Sequence, residues 1–225
     1  MTRLAAELIL ALAGLACGPP QRAAITSLAG RTAPTARQAR SAPGVQRPAP
    51  PRLALGLMTA VLLAVAGWRI HPWPVLGATA WLIALAIPLS IIDIRVHRLP
   101  DALTGSGYAG VLAFLTVAAA DAGHWARLGR AAAGGLVLAL GCVLLAVLSR
   151  GRLGLGDCKA AAVTGTLLSW FGWEALLAGT LAGFLLAAAC GICLIAARRA
   201  TLRSYLPFGP FLLGGAILVV LLVAL

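Results

Sequence analysis

What most constrains this chain is a succession of apolar runs, each at or near the length needed to cross a bilayer. A hydrocarbon core of about 30 Å takes about 20 helical residues at 1.5 Å apiece. Six runs meet or approach that length: 53–67, 75–92, 102–120, 131–148, 174–197 and 207–225. With 61% of the chain hydrophobic and 11% charged, a water-soluble domain could not keep this balance, and bilayer is the natural solvent. A weaker stretch, 158–171, is short and rich in Ala, Thr and Gly. It reads as a seventh span buried among the others by small-residue packing, in keeping with Gly179-x-x-x-Gly183 in the next run. A re-entrant or interfacial segment is the alternative there. The expected fold is an all-α polytopic membrane protein of about seven to eight transmembrane helices.

The first 52 residues differ. Residues 4–16 are apolar but short and carry Glu7, so 1–17 reads as a marginal, uncleaved eighth span in preference to a signal peptide. Residues 18–52 hold seven prolines, six arginines and no acid or cysteine. Such a segment cannot bury a core and is expected to be a disordered cytoplasmic linker. Residues 53–74 then supply one additional helix and loop before a six-helix core at 75–225.

Lys and Arg total 18 against 6 Asp and Glu. A basic excess on a soluble face would suggest nucleic acid, but these residues fall mostly between apolar runs, where they set topology and meet anionic headgroups. If 75–92 ends in the cytoplasm, the cytoplasmic connections carry Arg95, Arg98, Arg150, Arg152, Lys159, Arg198, Arg199 and Arg203. The outer ones carry only Arg69, Arg127 and Arg130. The positive-inside rule selects that orientation, with the aromatic segments 71–74 and 170–173 as outer interfacial anchors. Cys17, Cys142, Cys158, Cys190 and Cys193 form no spaced framework, so neither a disulfide scaffold nor a metal site is expected.

Acids are scarce enough to be weighed singly. Asp93 ends one strong run and Asp157 begins the weak one, after Gly154-Leu155-Gly156. One helix runs toward the cytoplasm and the other away from it, so both carboxylates should reach the same membrane boundary. Two carboxylates held close in a partly dehydrated site cannot both ionise easily and tend to share a proton. One can then act as base on a water while the other donates to a carbonyl oxygen. The bland readings are an Asp93 paired with Arg95 or Arg98, and an Asp157 serving as N-cap or as partner of Lys159. Gly154 and Gly156 suit close backbone approach by an extended substrate.

Three segments carry a resemblance. Asp93-Ile94-Arg95-Val96-His97-Arg98-Leu99-Pro100-Asp101 resembles the D-x-R-x-x-x-x-P-[DN] signature of bacterial prepilin (leader) peptidases, and Gly154-Leu155-Gly156-Asp157-Cys158-Lys159 is similar to their G-x-G-D-x-K signature. Leu206-Pro207-Phe208-Gly209-Pro210-Phe211-Leu212 resembles a P-F-G-P-F segment opening their last helix. The resemblance implies an intramembrane aspartic endopeptidase without cofactor. Asp93 and Asp157 would be catalytic, and Arg95 and Lys159 would tune the pair or hold the leader. Its partners would be the lipid bilayer and prepilin or pseudopilin precursors, cut at the cytoplasmic face of the inner membrane, with a homodimer left open. Asp101 is expected to cap the next helix.

One departure stands out. Larger members carry two C-x-x-C pairs in a cytoplasmic domain and also methylate the new pilin terminus. Residues 18–52 hold no cysteine, and Cys190-x-x-Cys193 lies within an apolar run, so methyl transfer is not expected. The rival readings are a transporter or channel with a proton-carrying Asp pair, a presenilin-like protease, which shares G-x-G-D, and an inactive scaffold. Nothing resembling an inverted repeat supports the first, and the Pro-Ala-Leu segment typical of the second is missing.

Overall fold

The computed structural model describes Leu12, Gln21, Ala23 and residues 52–96, 101–149, 154–199 and 207–223. Among these, the elements are helices: α1 (Arg52–Arg69), α2 (Trp73–Val96), α3 (Asp101–Ala122), α4 (Trp125–Leu148), α5 (Leu155–Phe171), α6 (Trp173–Ala196) and α7 (Gly209–Val223). A helix closes its own hydrogen-bond ladder, which backbone in hydrocarbon requires. Four helices are long and apolar enough to cross a membrane, over Trp73–Ile94, Leu103–Ala122, Trp125–Leu148 and Trp173–Ala196. α1 and α7 are shorter and apolar. The all-α architecture is the one expected. The marginal span at 1–17, apart from Leu12, and nearly all of the linker lie outside the described residues, as do Arg98, Arg150, Arg152 and Arg203.

The surface is apolar where lipid would meet it. Leu136, Leu140, Leu144 and Leu148 form an exposed row at four-residue spacing on α4, and Leu177, Leu181 and Leu185 do the same on α6. α5 has the opposite character: Ala160, Ala161, Thr164, Leu167 and Leu168 along it are buried. Small residues make this possible. A Cβ at Gly165 would fall 2.9 Å from the carbonyl oxygen of Gly134 and 3.1 Å from Gly135 Cα, so α5 lies directly on the backbone of α4. On α6, a Cβ at Gly179 would lie 2.6 Å from Leu168 Cδ1 of α5, and one at Gly183 would lie 3.1 Å from Leu212 Cα of α7. Gly179-x-x-x-Gly183 therefore packs α6 against two neighbours at once.

Two boundaries differ from expectation. α4 begins at Trp125 instead of near 131, so Arg127 and Arg130 belong to its first turns and not to a loop. The reason is visible at Arg130. Its Nε donates to the carbonyl of Ser169 and its Nη2 to that of Trp170, both at 2.8 Å. Those carbonyls belong to the last turn of α5, where the ladder provides no donors and cations are favoured. α2 runs on to Val96, which places Asp93 inside its final turn.

Pro88 lies within α2. Having no N–H, it cannot donate to the carbonyl of Ala84 one turn earlier. The side-chain amide of Gln21 donates there instead, at 3.0 Å, and also to Thr59 Oγ1 of α1 at 3.1 Å. Gln21 falls within the segment read as linker, yet it is buried between α1 and α2.

Candidate active site

α7 packs against α2, α5 and α6, which brings its first residues between the helices that carry the two acids. Asp93 is 4% exposed and Asp157 is 2% exposed. A Cβ built on Gly209 would stand 2.9 Å from Asp93 Oδ2 and 3.2 Å from Asp157 Oδ1. The two carboxylates can therefore be no farther apart than those distances laid end to end. Residues 64 positions apart in sequence meet over a single glycine at one end of the bundle.

Local structure explains the aim of Asp157. Gly154 is the N-cap of α5 and accepts from the Asp157 N–H at 3.0 Å. That makes Asp157 the third helical residue, the position from which a side chain reaches back to the N-cap N–H. The carboxylate makes that bond to Gly154 and a second to the backbone N–H of Gly209. Both donors sit at helix N-termini, whose partial positive charge favours an anion. Asp157 Oδ2 is buried and has no hydrogen-bond partner among the described residues. A buried acceptor left open in this way is unusual and marks a place for a polar guest.

The other expected residues divide. Gly154 has φ −73° and ψ 141°, extended backbone that any residue adopts, so its turn does not require glycine. Gly156 is half-buried in the first turn of α5. Lys159 pairs with Asp101 at the start of α3, and neither is buried. Lys159 is thus not the partner of Asp157, and Asp101, besides opening α3, ties it to α5. The Arg95 side chain lies outside the described residues. Cys190 and Cys193 are free thiols on α6, and among the described residues no group of three or more His, Cys, Asp or Glu is placed to hold a metal ion.

One residue of the site, Gly209, and one at the far end of α5, Arg130, carried no site role in the sequence reading, where Arg130 served only as an outer-loop charge. Gly209 was visible only as part of a motif, since nothing local shows that its missing side chain faces two acids. Arg130 had a signal: a guanidinium one turn into an apolar helix must find carbonyls.

Sequence comparison bears on the same region. A sequence model described as the Type IV leader peptidase family matches residues 76–196. The chain is 36% identical over 169 residues to the prepilin leader peptidase/N-methyltransferase of Burkholderia pseudomallei (strain 1026b), covering 72% of this chain and 50% of that protein. It is 34% identical over 164 residues to the protein so named in Aeromonas salmonicida (strain A449), covering 69% and 53%. For that of Aeromonas hydrophila the identity is 33% over 178 residues, covering 75% and 58%. The chain thus spans about half the length of the curated relatives it matches. No solved structure matches it significantly. With more than half of its length matched by the family's pattern and both buried acids inside that match, the chain belongs to the type IV leader peptidase family.

Proposed function

We propose that the protein is a membrane-embedded aspartic endopeptidase that removes the short basic leader from type IV pilin-like precursors, with Asp93 and Asp157 as its catalytic pair. One observation carries the reading: two buried carboxylates from separate helices converge on a single point over Gly209. Ionised, one of them takes a proton from a water as its oxygen attacks the scissile carbonyl, while the other, protonated, donates to the carbonyl oxygen. Collapse of the tetrahedral intermediate breaks the C–N bond, and the proton taken from water passes to the leaving amine. The Arg and Lys residues near this end of the bundle support a site at the cytoplasmic face of the inner membrane. The core at 75–225 supplies the catalytic machinery in this reading, and the lipid bilayer is its solvent.

The test is cleavage of a purified pilin precursor by the protein reconstituted in liposomes. The wild type is expected to make one cut behind the leader. Asp93→Asn and Asp157→Asn should each lower kcat by more than about 1,000-fold while remaining folded. Substantial cleavage by either variant would remove that residue from the catalytic pair.

A further inference from the structure

We infer that Gly209 is a positioning residue of the peptidase site, keeping open the space between the two carboxylates in which water and the scissile carbonyl meet. This rests on the reading of Asp93 and Asp157 as the catalytic pair. A Cβ at Gly209 would stand 2.9 Å from Asp93 Oδ2, closer than real side chains approach, and 3.2 Å from Asp157 Oδ1. The space over this glycine is therefore bounded by the two acids and would be filled by one methyl group. The other oxygen of that carboxylate, Asp157 Oδ2, is buried without a hydrogen-bond partner among the described residues, so the site keeps an acceptor that they leave unused.

The backbone of Gly209 has a second part. Phe208 accepts from the N–H groups of Phe211 and Leu212, both at 3.1 Å, and so caps α7. Gly209 and Pro210 are then its first two helical residues. Pro210 has no N–H and Phe211 spends its own on Phe208, leaving the Gly209 N–H as the donor that the opening of α7 presents outward. It bonds the Asp157 carboxylate. Phe208 is held in turn against Phe184 of α6, with ring centroids 4.8 Å apart. One residue thus fixes Asp157 through its N–H and admits the reacting groups through its absent side chain.

The experiment compares Gly209→Ala with Gly214→Ala in the reconstituted protein. Gly214 lies on the same helix, and a Cβ there would meet nothing within 4 Å. Gly209→Ala is expected to lower kcat at least about 100-fold, the scale of a small misplacement of reacting groups. KM for the precursor should change by less than about 5-fold, because the bulk of the substrate binds elsewhere. Gly214→Ala should cleave as the wild type does. If Gly209→Ala cleaves within about 3-fold of wild type, the inference fails while the Asp pair stands. If the wild type is inert, or either Asp→Asn variant cuts, the underlying reading fails instead.

Should Gly209→Ala also lose thermal stability, the comparison moves to Asp93→Ala against Asp93→Ala/Gly209→Ala. Removing the carboxylate vacates the space, so the added methyl should then cost no further stability. A further loss would place Gly209 against the helix packing and overturn the proposal.

Discussion

The two ends of α5 are built on opposite terms. At the C-terminal end Arg130 donates to the carbonyls of Ser169 and Trp170, so orphan acceptors meet a cation where the helix dipole calls for one. At the N-terminal end Asp157 bonds the N–H groups of Gly154 and Gly209 but keeps a buried oxygen without a partner among the described residues, beside a second acid. At one end a cation meets two backbone carbonyls, and at the other a carboxylate oxygen is held back from bonding. A helix with 17 residues that lies mostly inside the bundle can then be held firmly from the end away from the two acids.

That contrast predicts which measurements respond at each end. The largest effect is the exchange of roles: Asp157→Asn should abolish cleavage while the melting temperature in detergent stays within a few degrees. Arg130→Met should do the reverse, costing about 2–3 kcal/mol of stability while the surviving folded protein keeps a near-normal kcat. Equal damage to stability from both variants would erase the distinction between the ends.

A smaller effect lies at Gln21. Its replacement by Leu leaves the Ala84 carbonyl without its donor and should cost about 1–2 kcal/mol. In a Pro88→Ala background residue 88 regains an N–H, so Gln21→Leu should cost distinctly less there. Additive losses would show that the amide is not standing in for the proline.

The smallest is expected at the ion pair of Lys159 with Asp101. Both residues are exposed and their pairing stabilises by at most about 0.5 kcal/mol, so Lys159→Ala should leave the melting temperature almost unchanged. Its effect on cleavage sharpens the comparison: a rise in KM reversed by high salt would assign the reactive end of α5 a part in holding the substrate.

Much of this was legible in the chain. Runs near 20 residues in an apolar sequence admit few folds other than a helical bundle, and acids are few enough to be weighed singly, but it was the resemblance carried by their flanking segments that singled out Asp93 and Asp157. Helix direction put both at one membrane boundary, but their meeting over Gly209 became visible only in the structure. The spans were less exact: the expectation of a start near 131 treated Arg127 and Arg130 as loop residues, because hydropathy registers charge and not the carbonyls that satisfy it. Gln21 was hidden for the same reason, as an amide in a Pro/Ala/Arg-rich stretch gives no local sign of a defect in α2. Gly209 stood in plain sight within a motif, but the value of a missing methyl depends on what two other helices bring to it.

The position of α7 between α2 and α5 also has a consequence for how the protein is made. Asp93 and Asp157 both leave the ribosome before Gly209 does, and chains fold broadly in the order of synthesis. Until α7 enters the membrane, the two acids lack both the backbone donor at Gly209 and the helix that separates their own. A nascent chain would carry its carboxylates unassembled, and in the proposed function proteolytic competence would wait for the entry of α7.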